Sequence, residues 1–509
     1  MTTDHTFSTT SRSSGILLHP TSLPGKYGTG EIGAEAFDFV KKLSSAKQRW
    51  WQMLPINTPG YAGSPYSAES AFAGNTALIS TDALLEQELV TTTEVQALVN
   101  ATQNHDPRRL NFSEVLPAKQ QLLDVAAQRF IDQDKHTTDA FKAFTQKHAH
   151  WLDDYALYAS LKQHHEGKGW RQWPTALVAR DEAAIADAKR ELAELILKEE
   201  VLQFIFFSQW QELLDFAHKH DIALIGDIPI FVAMDSADVW VNRHLFKLDA
   251  QGNSEVVAGV PPDYFSETGQ KWGNPVYDWK ANKEEGYAWW LRRIQHAMLT
   301  MDLVRIDHFR GFQAYWETPT DEPTAIHGKW VDGPAHDFFD TIQRELGHVP
   351  FIAEDLGDID DAVIELRDAY ELPGMKIMQF AFGDEQEDHP FRPHTYPACC
   401  VAYTGTHDNN TTQGWFDELG ELEKHRVRTY LSCPDELVVE RLFETLFESN
   451  AALVMLPAQD LWKLGSEHRM NTPATTEGNW SWRMTSDELA DQTRFNQLAN
   501  LTQTHNRSK

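Results

Sequence analysis

Eight short apolar runs recur along the chain, each closed by polar residues. They are GILLHPTSL (15–23), RWWQMLPIN (49–57), IALIGDIPIF (222–231), MDLVRIDHF (301–309), VPFIAEDLG (349–357), MKIMQFAFG (375–383), CVAYTGTHD (400–408) and ALVMLPAQD (452–460). Four or more apolar positions in near succession predict strands buried on both faces, not the alternation of a strand with one wet side. Between the runs the spacing becomes helical. IGAEAFDFVKKLSSA (32–46) brings Ile32, Ala36, Phe39, Val40 and Leu43 onto one face, and EEGYAWWLRRIQHAML (284–299) does the same with Trp289, Leu291 and Ile294. DDAVIELRDAY (360–370) lies between the fifth and sixth runs. Strand and helix alternating eight times predict an α/β fold: a (β/α)8 TIM barrel with large, mostly helical insertions in the loops at its C-terminal face.

The uneven spacing locates those insertions. Residues 58–221 separate the second run from the third and are mostly helical in pattern, as in AKQQLLDVAAQRFIDQ, so they read as a helical subdomain in the second βα loop. Residues 232–283 follow the third run; they are rich in Gly, Pro and aromatics, lack periodicity, and read as an active-site loop. Loops after barrel strands build the active site, so both insertions are expected to stand over it. The catalytic barrel is expected over 15–484, with a disordered lead at 1–14 and a C-terminal tail at 485–509.

Composition narrows the class. The net charge of −30 repels phosphate backbones and argues against nucleic acid as a partner. Three cysteines without framework spacing point to a reducing compartment. No run approaches a membrane span and the Ser/Thr-rich N-terminus has no apolar signal core, so a cytoplasmic protein without membrane contact is expected. GxxxxGK[ST], GxGxxG after a strand, HExxH and GxSxG do not occur; no metal, nucleotide or other cofactor is expected.

Three carboxylates close predicted strands: Asp307 after run four, Glu354 after run five and Asp408 after run seven. Side chains alternate along a strand, so Arg305 and Asp307 share a face, and an arginine beside a carboxylate favours its ionised form, as a nucleophile requires. Glu354 follows apolar Ile352 and Ala353; a poorly solvated carboxyl has a raised pKa and can serve as an acid near neutrality. Such a pair is what retaining glycoside chemistry uses, with the carboxyls about 5–5.5 Å apart. Each residue has a plainer reading. Asp307 could cap a helix, Asp408 in THDNNT could shape a turn, and Glu354–Asp355 could be a solvated loop. Loop aromatics supply a second constellation: Tyr61 and Tyr66, Tyr264 and Trp272, Trp480 and Trp482 sit among Gly and Pro, where rings can stack on sugars, although any one of them could be core.

Taken together, GILLHPTSLPG, WWQMLPINTPGYAGSPYSAESAFAGN, GDIPIFVAMDSADVW, GVPPDYFSETGQKWGNPVYDW, RIDHFRGF, IAEDLG, GTHDNNT and PAQDLWKLGSEHRMNTPATTEGNWSWR resemble glycoside hydrolase family 77, the 4-α-glucanotransferases or amylomaltases. The resemblance implies that Asp307 is the nucleophile, Glu354 the general acid/base and Asp408 the carboxylate that stabilises the transition state. It further implies substrate binding by Tyr66, Asp227, Asp263, Trp272, Arg305, His407, Asp460 and Asn479, with Trp272 on a mobile loop over the site. The implied reaction moves an α-1,4-glucan segment from donor to acceptor, glucose included, through a covalent intermediate and without a cofactor. Two rivals remain at this level: an α-amylase-type hydrolase using the same carboxylates, and a silent carbohydrate-binding barrel.

Overall fold

The computed structural model describes residue 8 and residues 11–60, 63–102, 106–262 and 266–508. All eight apolar runs form strands of one closed parallel barrel. The strands are β1 (Ser13–Leu17), β2 (Trp50–Gln52), β3 (Ala223–Pro229), β4 (Leu303–Asp307), β5 (Phe351–Ala353), β6 (Gly374–Ile377), β7 (Cys400–Tyr403) and β8 (Leu453–Pro457). They pair in chain order, and β1 closes the ring on β8 in the register Ser13↔Leu453 to Leu17↔Pro457.

Alternation sorts each strand into an inner and an outer set. Trp50, Ala223, Ile225, Leu303, Ile352, Met375, Val401, Tyr403, Leu453 and Met455 form a separate cluster that fills the barrel. Each Leu, Ile, Val or Met among them contributes about 1.5–3 kcal/mol by leaving water. Trp51, Leu224, Val304, Ile306, Ala353 and Val454 point outward into the larger core shared with the helices. Gly15 has no alternative at the bottom of the barrel: a Cβ there would lie 2.6 Å from Trp50 Cβ and 2.9 Å from Met455 Cε. The Trp50 indole lies across this level and donates to Ser13 Oγ at 3.0 Å.

The same alternation carries chemistry to the top. In β4, Leu303, Arg305 and Asp307 face inward; in β3, Ala223, Ile225 and Asp227 do so, and the register sets Asp227 directly beside Arg305.

The connections depart from a plain barrel in three places. The described residues of 58–221 hold six α-helices of six or more residues, the longest being Asp139–His164 and Ala193–Lys219, which runs straight into β3. Residues 232–283, read as an active-site loop from their poor periodicity, contribute strands Val256–Val260 and Gln270–Pro275; these join Ala314–Pro319 and Lys329–Asp332 from the loop after β4 in a four-stranded antiparallel sheet. Between β6 and β7 the alternation fails: Met378–Phe382 and Pro393–Thr395 are 3₁₀ turns, and no α-helix occurs there among the described residues.

The chain ends also differ from expectation. Ser13 and Ser14, placed in the lead, begin β1. Residues 485–508, read as a tail, form helices Ser486–Ala490 and Gln492–Thr504 and return Arg507 to the N-terminal face of the barrel. The Arg507 guanidinium is fully buried and donates to the carbonyls of Phe447, Ser449, Ala451 and Ser13. Among the described residues no helix is long and apolar enough to cross a membrane.

Candidate active site

Asp307, Glu354 and Asp408 meet at the C-terminal mouth of the barrel through their neighbours. Arg305 is the hub on the β3–β4 side. Its Nη1 lies 2.9 and 2.7 Å from the two oxygens of Asp227, and its Nη2 lies 2.9 Å from Asp307 Oδ1. Burial works against the charge of the guanidinium, but the charges of Asp227 and Asp307 outweigh it and hold the group charged well above its ordinary range. Tyr66 completes the group by donating to Asp227 Oδ2 at 2.8 Å. Burial pushes the Asp227 carboxyl up to about 6, with Arg305 opposing and Asp307 adding to the shift.

Glu354 is tied to the strand that carries Asp307. The chain turns at His308, which takes the left-handed conformation (φ 55°), and its N–H then donates to Glu354 Oε2 at 2.6 Å. Leu356 N–H donates to Oε1 at 3.0 Å, and Phe309 N–H to the Glu354 carbonyl at 3.1 Å. Burial nonetheless dominates and lifts the carboxyl to about 7; Arg305 opposes the shift, Asp307 adds to it, and the two backbone donors oppose it. Glu354 is therefore no solvated loop residue. Asp355, its neighbour, points away and receives Met375 N–H at 2.7 Å and Arg367 Nη1 at 2.5 Å, which fixes β5 against β6.

The β7 side is built on His407 and Asp408. The His407 Nε2 atom lies 3.3 Å from Asp408 Oδ2, and Asn471 donates to Asp408 Oδ1 at 2.6 Å. Burial disfavours charge on both members. The ion pair overcomes it, raising the His407 pKa and holding Asp408 well below the usual carboxylate range. The turn itself is made by others: Asn409 Oδ1 accepts from Thr406 N and Oγ1, both at 2.9 Å, so Asp408 is not needed as a turn former. Asp307 caps nothing either, since the 3₁₀ turn Phe309–Phe312 starts from His308 without a side-chain cap.

Aromatic rings wall the cleft. The Tyr66 and His407 rings stack at 5.2 Å and 15°, and Trp480 leans on both at 5.7 and 6.0 Å. Trp480 sits at φ 61° in the loop after β8; its loop setting near Gly478 was visible in the sequence, its partnership with Tyr66 and His407 was not. Trp272 stands perpendicular to His308 at 4.9 Å. It belongs to strand Gln270–Pro275, which pairs with Val256–Val260 within the insertion after β3.

Other expected residues are placed differently. Asp460 is 1% exposed and accepts from Thr404 Oγ1, Thr412 N and Thr412 Oγ1 at 2.6–2.8 Å, which fastens the end of β7 to the helix after it. Asn479 braces its own loop, accepting from Thr472 N and donating to Thr475. Trp482 is core, at 1% exposure. Asp263, Tyr264 and Tyr61 lie outside the described residues. Asn471 and Arg469, which clamp Asp408 from the loop after β8, carried no sequence signal beyond the motif that contains them. Among the described residues no cluster of three His, Cys, Asp or Glu side chains is arranged to hold a metal.

The arrangement is thus a strand-end aspartate beside a buried arginine, a carboxyl whose pKa burial lifts to about 7, and a third carboxylate held ionised beside an aromatic wall. Residues 18–489 match the family model for 4-alpha-glucanotransferase, Glyco_hydro_77. The chain is 46% identical over 492 residues to the 4-alpha-glucanotransferase of Thermus thermophilus, covering 94% of this chain and 96% of that one. It is 43% identical over 481 residues to the enzyme of Streptococcus pneumoniae serotype 4, covering 94% of each. The amylomaltase of Streptococcus agalactiae, solved in complex with acarbose, superposes with a TM-score of 0.94 at 38% identity, covering 98% of this chain and all of that one. The chain belongs to the 4-alpha-glucanotransferase family, glycoside hydrolase family 77.

Proposed function

We propose that this 4-alpha-glucanotransferase acts on α-1,4-glucans such as maltodextrins by double displacement, with glucose or another glucan chain as acceptor. Asp307 attacks the anomeric carbon while Glu354 protonates the glycosidic oxygen, leaving a covalent β-glycosyl-enzyme. The released chain departs. An acceptor 4-hydroxyl enters, Glu354 takes its proton, and the α-1,4 bond re-forms with net retention. Asp408, charged through His407 and Asn471, stabilises the oxocarbenium-like transition state.

The observation that carries the assignment is the division of labour between neighbouring strand ends. Arg305 holds a cation 2.9 Å from Asp307, whereas burial lifts Glu354 to about 7. One carboxyl is kept by a cation, as a nucleophile needs, and the other is protonated near neutrality, as an acid needs. In this reading Arg305 and Asp227 orient Tyr66 and Asp307, and Tyr66, His407 and Trp480 receive the sugar ring. The insertions 58–221 and 232–283 screen the intermediate from water, which favours transfer over hydrolysis.

Maltotriose as sole substrate tests the reading. Transfer yields glucose plus longer chains with a constant number of reducing ends. A steady rise in reducing ends would instead mark a hydrolase.

A further inference from the structure

All seventeen tryptophans are described, and two are more than a third exposed: Trp272 at 39% and Trp330 at 36%. An indole this large is seldom left open without use. Trp272 packs against His308, the residue that follows Asp307. Trp330 lies on the opposite edge strand of the same four-stranded sheet, about 14 Å away at three strand spacings.

The register defines what surrounds it. Gly259, Trp316 and Trp330 are direct neighbours across three strands and share one face of the sheet. Tyr315 and Glu317 occupy the other face, toward Lys247. The two indoles meet at 72° with centroids 5.2 Å apart, and Trp316 Nε1 is anchored on the Ala325 carbonyl at 2.9 Å. The Arg310 guanidinium lies over Trp330 at 3.8 Å and also donates to the Asp358 carbonyl and, at 3.4 Å, to the Asp360 carboxylate. Trp330 is therefore fixed to both loops that leave the reacting strands: Arg310 follows Asp307 by three residues, and Asp358 follows Glu354 by four.

The chemistry around the ring suits a sugar better than a protein surface. Lys329, Asp332 and Asp358 are exposed beside it, so a rigid aromatic plane is ringed by hydrogen-bonding charges. The apolar face of a glucose ring stacks on such a plane while its hydroxyls meet the rim. The side of the site is also set. Glu354 protonates the leaving oxygen, so the departing and incoming chains lie on the Glu354 side of the reacting bond, where the 358–360 loop begins. We propose that Trp330, backed by Trp316, is a stacking platform for the acceptor α-1,4-glucan beyond the reacting bond; this rests on the transglycosylase reading above.

The test uses Trp330→Ala and Trp330→Phe in the full chain, with α-maltosyl fluoride as fixed donor and either glucose or maltoheptaose as acceptor. In Trp330→Ala the ratio of the maltoheptaose KM to the glucose KM should rise by about five- to tenfold, the worth of one stacked ring. Trp330→Phe should recover part of it. Equal shifts for both acceptors, or no shift, would overturn the platform and leave Trp330 as a packing partner of Arg310. Calorimetric titration of maltoheptaose into Asp307→Asn, with and without Trp330→Ala, reads the same contact without turnover. A weaker Kd in the double variant supports the platform and an unchanged Kd overturns it. Release of fluoride by the unsubstituted protein to water alone, with no transfer to either acceptor, would instead sink the transglycosylase reading, and the Kd comparison would still decide whether Trp330 binds glucan.

Discussion

Replacing Arg305 by Met keeps the apolar stem and removes the cation that serves both Asp227 and Asp307. Asp227, 5% exposed, would lose the Nη1 donor shared by its two oxygens and keep the hydrogen bond from Tyr66. Breaking a buried ion pair from one side costs about 3–5 kcal/mol. An unfolding entropy of roughly 1 kcal/mol/K for 509 residues converts this to a Tm drop of about 3–5 °C. The drop must depend on pH. The folded pKa of Asp227, about 6, already lies above its unfolded value, so the native state binds more protons across that window and loses stability as pH rises through it. Arg305 opposes that shift, so its removal carries the window upward. Scanning calorimetry at one scan rate should find the two proteins closest at about pH 5.5 and furthest apart near about pH 8. Transfer activity should fall by about a hundredfold or more, because Asp307 loses the group that orients it. A Tm gap that is the same at both pH values would refute the reasoning, as would wild-type turnover.

Two further outcomes follow from other parts of the structure. Transfer between maltotriose molecules should decline as pH rises through about 7, where Glu354 loses the proton it donates; Glu354→Gln should erase that limb while still accepting α-maltosyl fluoride, whose leaving group needs no acid. Arg507→Met should lower stability by about 2–4 kcal/mol by orphaning carbonyls at the N-terminal face, seen as a lower Tm with kcat per folded molecule unchanged.

The barrel was legible because its strands are buried on both faces, which makes each a continuous apolar run that ends where the site begins. Alternation alone gave Arg305 and Asp307 a common face, and apolar Ile352 and Ala353 before Glu354 announced its poor solvation. The antiparallel sheet was not legible. Val256–Val260 pairs with Ala314–Pro319 some sixty residues on, and its other neighbour, Gln270–Pro275, carries Gly273, Asn274 and Pro275, which read as loop. The Arg305–Asp227 pair was recoverable only with a strand register, since the residues are 78 apart in sequence. The Tyr66–His407–Trp480 wall draws on three distant segments, and the bonds of Asp460 to Thr404 and Thr412 join neighbours that motif spacing does not reveal.

The central claim, that Asp307 becomes covalently glycosylated, is tested most directly by mass. In Glu354→Gln treated with α-maltosyl fluoride, the first displacement proceeds and the second lacks its base, so the intermediate should accumulate. Intact-protein mass spectrometry should show one added maltosyl group, and peptide mapping should place it on Asp307. An adduct on another carboxylate, or a maltosyl group still gained when Asp307→Asn is added, would contradict the account.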